Sequence, residues 1–283
     1  MRIPQSLLEH TIQLNIEHAL AEDIGDGDIT ALLTPENETA QATVITREDM
    51  VLAGQPWVNA LIARYDAQVK IEWLKHEGEI AHANEAFLKL SGSARSLLTV
   101  ERPALNFIQT LSAVATKTAH YVKELQGLNT QLLDTRKTLP GLRIAQKYAV
   151  AIGGGQNHRI GLFDAFLIKE NHIMAAGGIA QAIAKAHEIA PGKPVEVEVE
   201  TWDELNQAIA AKADIVMLDN FSNQQMRDAV QHVAGRCKLE ASGNITIENL
   251  REVATTGVDY ISMGVLTKDV KAIDLSMRFH KDQ

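Results

Sequence analysis

The sequence predicts an α/β protein in which an N-terminal α+β domain precedes an open, incomplete, six-stranded α/β barrel. Three observations carry that expectation. Between Leu132 and Gly264 the chain alternates short apolar runs with helix-like segments, the pattern of a parallel sheet built through right-handed crossovers. Each apolar run ends at a charged or small polar residue, and in a barrel such strand ends converge on one pocket. The first hundred residues instead mix strand-like and helical stretches without regular alternation. With 283 residues and 46% hydrophobic content, the chain can fill a barrel core and still supply a second domain.

Taken in order, Ala40 to Thr46, Val69 to Leu74 and Ala86 to Leu90 read as strands and Pro56 to Arg64 as a helix, punctuated by Gly54, Gly78 and Ser91-Gly92-Ser93. A long helix is expected to open at Glu101-Arg102-Pro103, because proline lacks only an N–H that the first helical turn leaves unused. It runs to about Gln126, with Gly127 closing it, and marks the junction between residues 1–110 and a barrel of residues 111–271. The barrel strands are Gln131 to Asp134, Ala165 to Ile168, Val195 to Val199, Ile215 to Leu218, Cys237 to Ala241 and Tyr260 to Met263. Thr201 with Glu204, and Ser222 with Gln225, fit capping boxes, while Gly235 and Gly257 stand where helix C-termini tolerate positive φ. Six strands are visible where a complete barrel has eight, so either the barrel is incomplete or two strands carry no visible signal. Leu275 to His280, within residues 272–283, reads as a helix returning to the first domain.

A net charge of -9 and a pI near 5.6 argue against general attraction to nucleic acid or acidic membranes. Any anion must be caught by a local concentration of Arg and Lys. The first ten residues lack a signal-peptide core and no later stretch is long and apolar enough to span a bilayer, so a soluble cytoplasmic protein is expected. Cys237, the single cysteine, excludes an internal disulfide and a thiolate metal cluster and reads as packing.

The chemistry-bearing residues cluster after the strands. Thr135 to Arg143 places Arg136, Lys137 and Arg143 beside hydroxyls; guanidinium offers a fork for carboxylate or phosphate and ammonium a point charge, the alternative being a solvated basic loop. Gly153-Gly154-Gly155 could bring backbone N–H groups to an anion, with His158 and Arg159 following, although an isolated histidine is more often a packing or surface residue. Lys169 ends a strand, where it reaches an anion, acts with a lowered pKa or pairs with a carboxylate such as Glu170. His172 has no second histidine at ligand spacing. Val195 to Glu200 alternates strictly, so Glu196, Glu198 and Glu200 share a face; in a central strand these carboxylates need cations or a metal, and Arg136, Lys137 and Lys169 are the candidates. Asp219 adds a carboxylate at the rim or caps the next helix. Ser242-Gly243-Asn244 and Met263-Gly264 are small enough for backbone N–H groups to meet a phosphate, Gly264 being otherwise a turn.

Together these segments, with Glu22 to Gly25, Gly27 to Thr30, Glu101 to Phe107, Leu218-Asp219-Asn220-Phe221 and Glu240 to Ile245, resemble the quinolinate phosphoribosyltransferase family, the carboxylating nicotinate-nucleotide pyrophosphorylases of NAD biosynthesis. The resemblance spans nearly the whole chain. It implies an open barrel of the type II phosphoribosyltransferase kind, at least a homodimer, and transfer of phosphoribosyl from phosphoribosyl pyrophosphate to quinolinate with release of pyrophosphate and CO2. By family position Arg102, lent by the neighbouring subunit, and Arg136, His158, Arg159 and Lys169 bind the two carboxylates of quinolinate. Lys137 faces the pyrophosphate beside Thr135. Glu198 and Asp219 hold the ribose hydroxyls directly or through Mg²⁺. Ser242, Gly243, Asn244, Met263 and Gly264 cradle the 5-phosphate. The implied catalytic residues are Lys137, Lys169, Glu198 and Asp219, with no organic cofactor. Competing readings are a sibling pyrophosphorylase acting on another acid or base, a Schiff-base barrel lyase using Lys169, and a silent barrel that senses a phosphorylated metabolite.

Overall fold

The computed structural model describes residues 2–280, which form two compact units: residues 2–119, 138–154 and 266–280, and residues 120–137 and 155–265. The first begins with helix α1 (Gln5–Ile24), which the sequence reading misses because its apolar residues gather on no single face; only Ile12, Asn15 and Ile16 are buried. It continues through β1 (Thr39–Thr46), β2 (Met50–Val51), α2 (Gln55–Tyr65), β3 (Lys70–Trp73), β4 (Ile80–Ala81), β5 (Ala86–Ser93) and α3 (Ala94–Glu124). Helix α3 starts at Ala94 rather than Glu101 because β5 runs straight into it. Ser93 Oγ accepts from Ser96 N at 3.4 Å and Ala94 N donates to Glu38 O at 2.9 Å, so Pro103 lies buried inside the helix.

Residues 138–154, carrying α4 (Arg143–Ile152), join the N-terminal unit and not the barrel as expected, and the division falls at 119/120 rather than 110/111. Polar contacts within the unit explain this. Asn15 Nδ2 donates to Gly141 O at 3.1 Å, Trp57 Nε1 donates to Asn15 Oδ1 at 3.1 Å, and the Trp57 and Tyr148 rings lie 5.2 Å apart. Gln146, wholly buried, accepts from Leu139 N and donates to Thr267 O.

Gly153 ends α4: Gly153 N donates to Ala149 O and Gly154 N to Ala151 O, which uses two of the three glycine amides that the sequence offered to a ligand. A Cβ on Gly153 would lie 2.4 Å from Ala115 O and 2.7 Å from Thr118 Cβ, so the glycine is required by close packing against α3. Gly153→Ala is therefore expected to destabilise the protein by about 1–3 kcal/mol, measured as a lower denaturant midpoint at unchanged slope.

The second unit carries six parallel strands, β6 (Gln131–Leu133), β7 (Phe166–Ile168), β8 (Val195–Val199), β9 (Ile215–Asp219), β10 (Lys238–Ser242) and β11 (Tyr260–Ser262). Their spatial order is β6-β11-β10-β9-β8-β7, so the first strand joins the last and the sheet stays open between β6 and β7. Gln156 covers part of the β6 edge through Gln156 N to Leu132 O and Asp134 N to Gln156 O. Helices α5 (Glu170–Ala176), α6 (Ile179–Ile189), α7 (Trp202–Ala210), α8 (Asn223–Val233) and α9 (Ile247–Ala254) provide the crossovers. Capping boxes open α7 at Thr201, α8 at Ser222 and α9 at Thr246. Cys237 is buried just before β10.

After α10 (Val265–Lys268) the chain forms strand β12 (Leu275–His280), where the sequence reading expected a helix over 272–283; residues 281–283 of that segment lie outside the described residues. Leu275, Met277 and Phe279 alternate with polar residues, a period-two pattern in a run too short to exclude a helix by periodicity alone. Strand β12 lies antiparallel to β1, from Thr46↔Leu275 to Gln41↔His280, and completes the sheet β12-β1-β5-β3 of the N-terminal unit.

Candidate active site

Period-two geometry stacks the inward-facing residues of the barrel in layers. Cross-strand register makes Glu198 and Glu240 neighbours of Met217, and Ser242 a neighbour of Asp219. In the layer at the strand ends, Thr135, Arg136, Lys137, His158, Arg159, Leu167, Lys169, Glu198, Met217, Ser242 and Ser262 line a cavity of about 240 Å³. Six predicted site residues with charge or an imidazole thus converge: Arg136, Lys137, His158, Arg159, Lys169 and Glu198.

Electrostatics follows from that crowding. Lys169 Nζ pairs with Glu198 Oε2 and not with Glu170, while Lys169 N donates to His172 Nδ1 at 3.0 Å, giving His172 a local structural part. Asp219 does not cap α8, whose cap is Ser222. Burial and then the Glu198 carboxylate raise the Asp219 pKa, with Lys169 opposing them. Burial and the nearby Arg136 charge lower the Arg159 pKa, as expected where two guanidiniums stand side by side.

Glu200 is exposed, so the expectation of three covered carboxylates reduces to two: Glu196, buried, and Glu198, half-buried. Their partners differ as well. Glu196 Oε2 lies 2.8 Å from His158 Nε2, with Arg159 as a further stabilising charge, whereas Glu198 takes Lys169.

Beyond Ser242, Gly243 and Asn244 adopt φ of +96° and +53°. A Cβ on Gly243 would meet Asn220 Oδ1 at 3.0 Å and Asp219 Oδ1 at 3.1 Å, so this turn packs directly on the Asp219 strand end. Met263 is buried and its N–H donates to Leu133 O. Next to it, a Cβ on Gly264 would fall 2.9 Å from Lys137 Cδ and 3.4 Å from Thr135 Oγ1. Arg102 belongs to the N-terminal unit; its side chain is 70% exposed and lies 3.5 Å from Glu101.

Three supporting carboxyl groups escaped the sequence reading as site residues. Asp134, wholly buried, accepts from His158 N at 2.9 Å and from Asn157 Nδ2 at 2.7 Å, fixing the segment that carries His158 and Arg159. Glu196 and Glu240 form the layer beneath the cavity, around a smaller space of about 90 Å³ that His158 and Arg159 also line. Burial pushes Glu196 up to about 7, and burial with the Glu196 charge pushes Glu240 up to about 8. The available signal was a glutamate in the middle of the apolar run Cys237 to Ala241.

Residues 28–112 match the family described as quinolinate phosphoribosyl transferase, N-terminal domain, and residues 114–278 its C-terminal domain. A probable nicotinate-nucleotide pyrophosphorylase [carboxylating] of Bacillus subtilis is 41% identical over 93% of this chain and 91% of its own length. The chloroplastic nicotinate-nucleotide pyrophosphorylase [carboxylating] of Oryza sativa is 40% identical over 93% of this chain and 76% of its own. The solved nicotinate-nucleotide pyrophosphorylase of Francisella tularensis superposes with a TM-score of 0.93 at 52% identity, over 99% of this chain and 98% of that one. Two matched domains in sequence order, close relatives covering most of both chains and the same fold throughout place this protein in the quinolinate phosphoribosyltransferase family.

Proposed function

We propose that the protein transfers the phosphoribosyl group of phosphoribosyl pyrophosphate to the ring nitrogen of quinolinate, releasing pyrophosphate and CO2 and forming nicotinate mononucleotide. One observation carries this reading: Arg136, His158, Arg159, Lys169 and Glu198 line a single cavity in a protein of net charge -9. Two guanidiniums, with the ammoniums of Lys137 and Lys169 in the same cavity, suit a dicarboxylate; a monocarboxylate would leave part of that charge unpaired. Lys169 is paired with a carboxylate and exposed, without the apolar enclosure that activates a Schiff-base amine.

In this reading Arg136 and Arg159 orient the quinolinate carboxylates, and Lys169 supports one of them. His158 lines the same wall, but its ring nitrogens are already engaged by Arg159 N and Glu196. Its part is therefore shape and orientation, and the carboxylate contacts fall to the guanidiniums. Glu198 and Asp219 take the ribose hydroxyls and stabilise positive charge that grows on the sugar as the anomeric bond breaks. Lys137 faces the departing pyrophosphate, and Ser242, Gly243, Asn244, Met263 and Gly264 receive the 5-phosphate.

Glu198 and Asp219 also fit Mg²⁺. They are hard oxygen donors at adjacent strand ends, and after burial the Glu198 charge adds to the raised Asp219 pKa. When bound with phosphoribosyl pyrophosphate, Mg²⁺ would neutralise charge building on the leaving group. The assembly proposed is a homodimer or larger homo-oligomer in which the exposed Arg102 completes a neighbour's site, in a cytoplasmic setting. Among the described residues no helix is long and apolar enough to cross a membrane.

Attack by the pyridine nitrogen precedes decarboxylation, because only the N⁺ ring can hold the electron pair left when CO2 departs. The test is an assay with Mg²⁺, phosphoribosyl pyrophosphate and either quinolinate or nicotinate, following pyrophosphate, CO2 and the mononucleotide. Turnover with quinolinate alone, and no CO2 without phosphoribosyl pyrophosphate, is the expected result. Preference for nicotinate would assign the chain to a sibling reaction.

A further inference from the structure

Barrel interiors are ordinarily filled by branched apolar side chains, yet the layer beneath this cavity holds two glutamates and a histidine. The histidine is fixed from both sides. His158 Nδ1 accepts from Arg159 N at 2.8 Å, which leaves the ring proton on Nε2, 2.8 Å from Glu196 Oε2. That single N–H serves Glu196, and Glu240 Oε2 stands farther off at 3.5 Å. Glu240 is wholly buried, and among the described residues no donor meets either of its oxygens or Glu196 Oε1 in hydrogen-bond geometry, although the Ser262 hydroxyl and the Glu196 carboxyl stand close enough to act on Glu240. A bare second carboxylate here would carry the full cost of a buried unpaired charge. A proton on Glu240 removes that cost and satisfies both groups, since an O–H on Glu240 is the donor that Glu196 Oε1 lacks. Facing atoms of Glu196, Glu240 and His158 lie within 4.8 Å of one another, so small side-chain rotations close the contact.

We propose that Glu240 is a positioning residue for quinolinate: as a neutral carboxylic acid it donates to Glu196, and so holds Glu196, His158 and Arg159 in place under the dicarboxylate. The inference rests on the phosphoribosyl-transfer reading above. The titratable groups facing Glu240 are Glu196 from β8, His158 and Arg159 from the segment after α4, and Tyr260 from β11, with Ser262 as a neutral neighbour. Burial and the Glu196 charge keep the Glu240 proton on up to about pH 8. Above that pH two carboxylates would repel one another beneath the site, and quinolinate binding would weaken.

The experiment compares wild type with Glu240→Gln and Glu240→Leu, reading KM for each substrate, quinolinate affinity by calorimetry and thermal stability against pH. The glutamine amide can donate as the acid does, so Glu240→Gln is expected to keep quinolinate kcat/KM within about threefold of wild type. It should also abolish the decline that wild type shows above pH ~8. Glu240→Leu has no donor and is expected to raise the quinolinate KM by about tenfold, leaving that of phosphoribosyl pyrophosphate unchanged. The stability readout needs no turnover. A native carboxyl pKa above the unfolded one means stability falls as pH rises from the usual carboxylate range to about 8, and Glu240→Gln should flatten that fall.

Equal damage in both variants would overturn the proposal, as would an unchanged quinolinate KM in Glu240→Leu or a stoichiometric metal lost with Glu240→Gln. If Glu240→Leu does not fold, the pH profile of Glu240→Gln decides alone. Absence of quinolinate turnover in wild type would sink the reaction assignment, and the stability profile would still judge the state of Glu240.

Discussion

Arg136→Ala is expected to lower kcat/KM for quinolinate by about 10²- to 10³-fold, the loss incurred when one partner of a desolvated charge pair is truncated. The effect is large because Arg136 does not act alone. Both guanidiniums line one cavity, and after burial the Arg136 charge is the next cause of the lowered Arg159 pKa, so the two can share one bound dianion. Removing one leaves a substrate carboxylate inside the cavity without its fork. Arg136→Lys is expected to recover only part of the loss, because an ammonium restores charge but not planar two-point geometry. Steady-state kinetics with each substrate varied separately is the measurement. KM for phosphoribosyl pyrophosphate should stay near wild type, since the Ser242 to Asn244 turn and Gly264 are untouched. Ordinary quinolinate turnover by Arg136→Ala would sink the assignment of this cavity to a dicarboxylate.

The barrel half of the fold was legible because its signals are local. Each strand is a short apolar run, each crossover carries turn or capping residues, and the capping boxes at Thr201 and Ser222 appear as the sequence predicts. The polar layer at the strand ends was legible for the same reason: once six runs are parallel strands, the residues at their C-terminal ends must meet at one face. The failures are tertiary. Nothing local marks α1, whose few buried residues are Ile12, Ile16 and Asn15, the last bonded to Trp57 and Gly141. Pro103 looked like a helix start, yet β5 leads directly into α3 with no loop to announce it. The glycine run at Gly153 resembled an anion loop but serves close packing on α3. Likewise Glu196 and Glu240 are paired only by the register of β8, β9 and β10, which places residues distant in sequence around His158.

Mixing two inactive variants is expected to restore activity if Arg102 serves a neighbouring subunit. Arg102→Ala and Lys169→Ala should each fall below about 1% of wild-type kcat/KM, because each removes a cation from the anion site. Lys169 stands within the barrel unit, paired with Glu198, whereas Arg102 lies in the N-terminal unit with an exposed side chain and Glu101 as an ionic neighbour at 3.5 Å. In a dimer that exchanges Arg102, a mixed pair has one site lacking both cations and one lacking neither. Random reassortment of equal amounts makes about half the dimers mixed, each with one working site of two, so about a quarter of wild-type activity should return. The two variants would be combined under conditions that allow subunit exchange, with mixed dimers confirmed by differently tagged chains before assay. If Arg102 instead served its own chain's site, every site would lack one cation whatever the pairing. Mixed dimers with no recovery would therefore assign Arg102 to its own subunit.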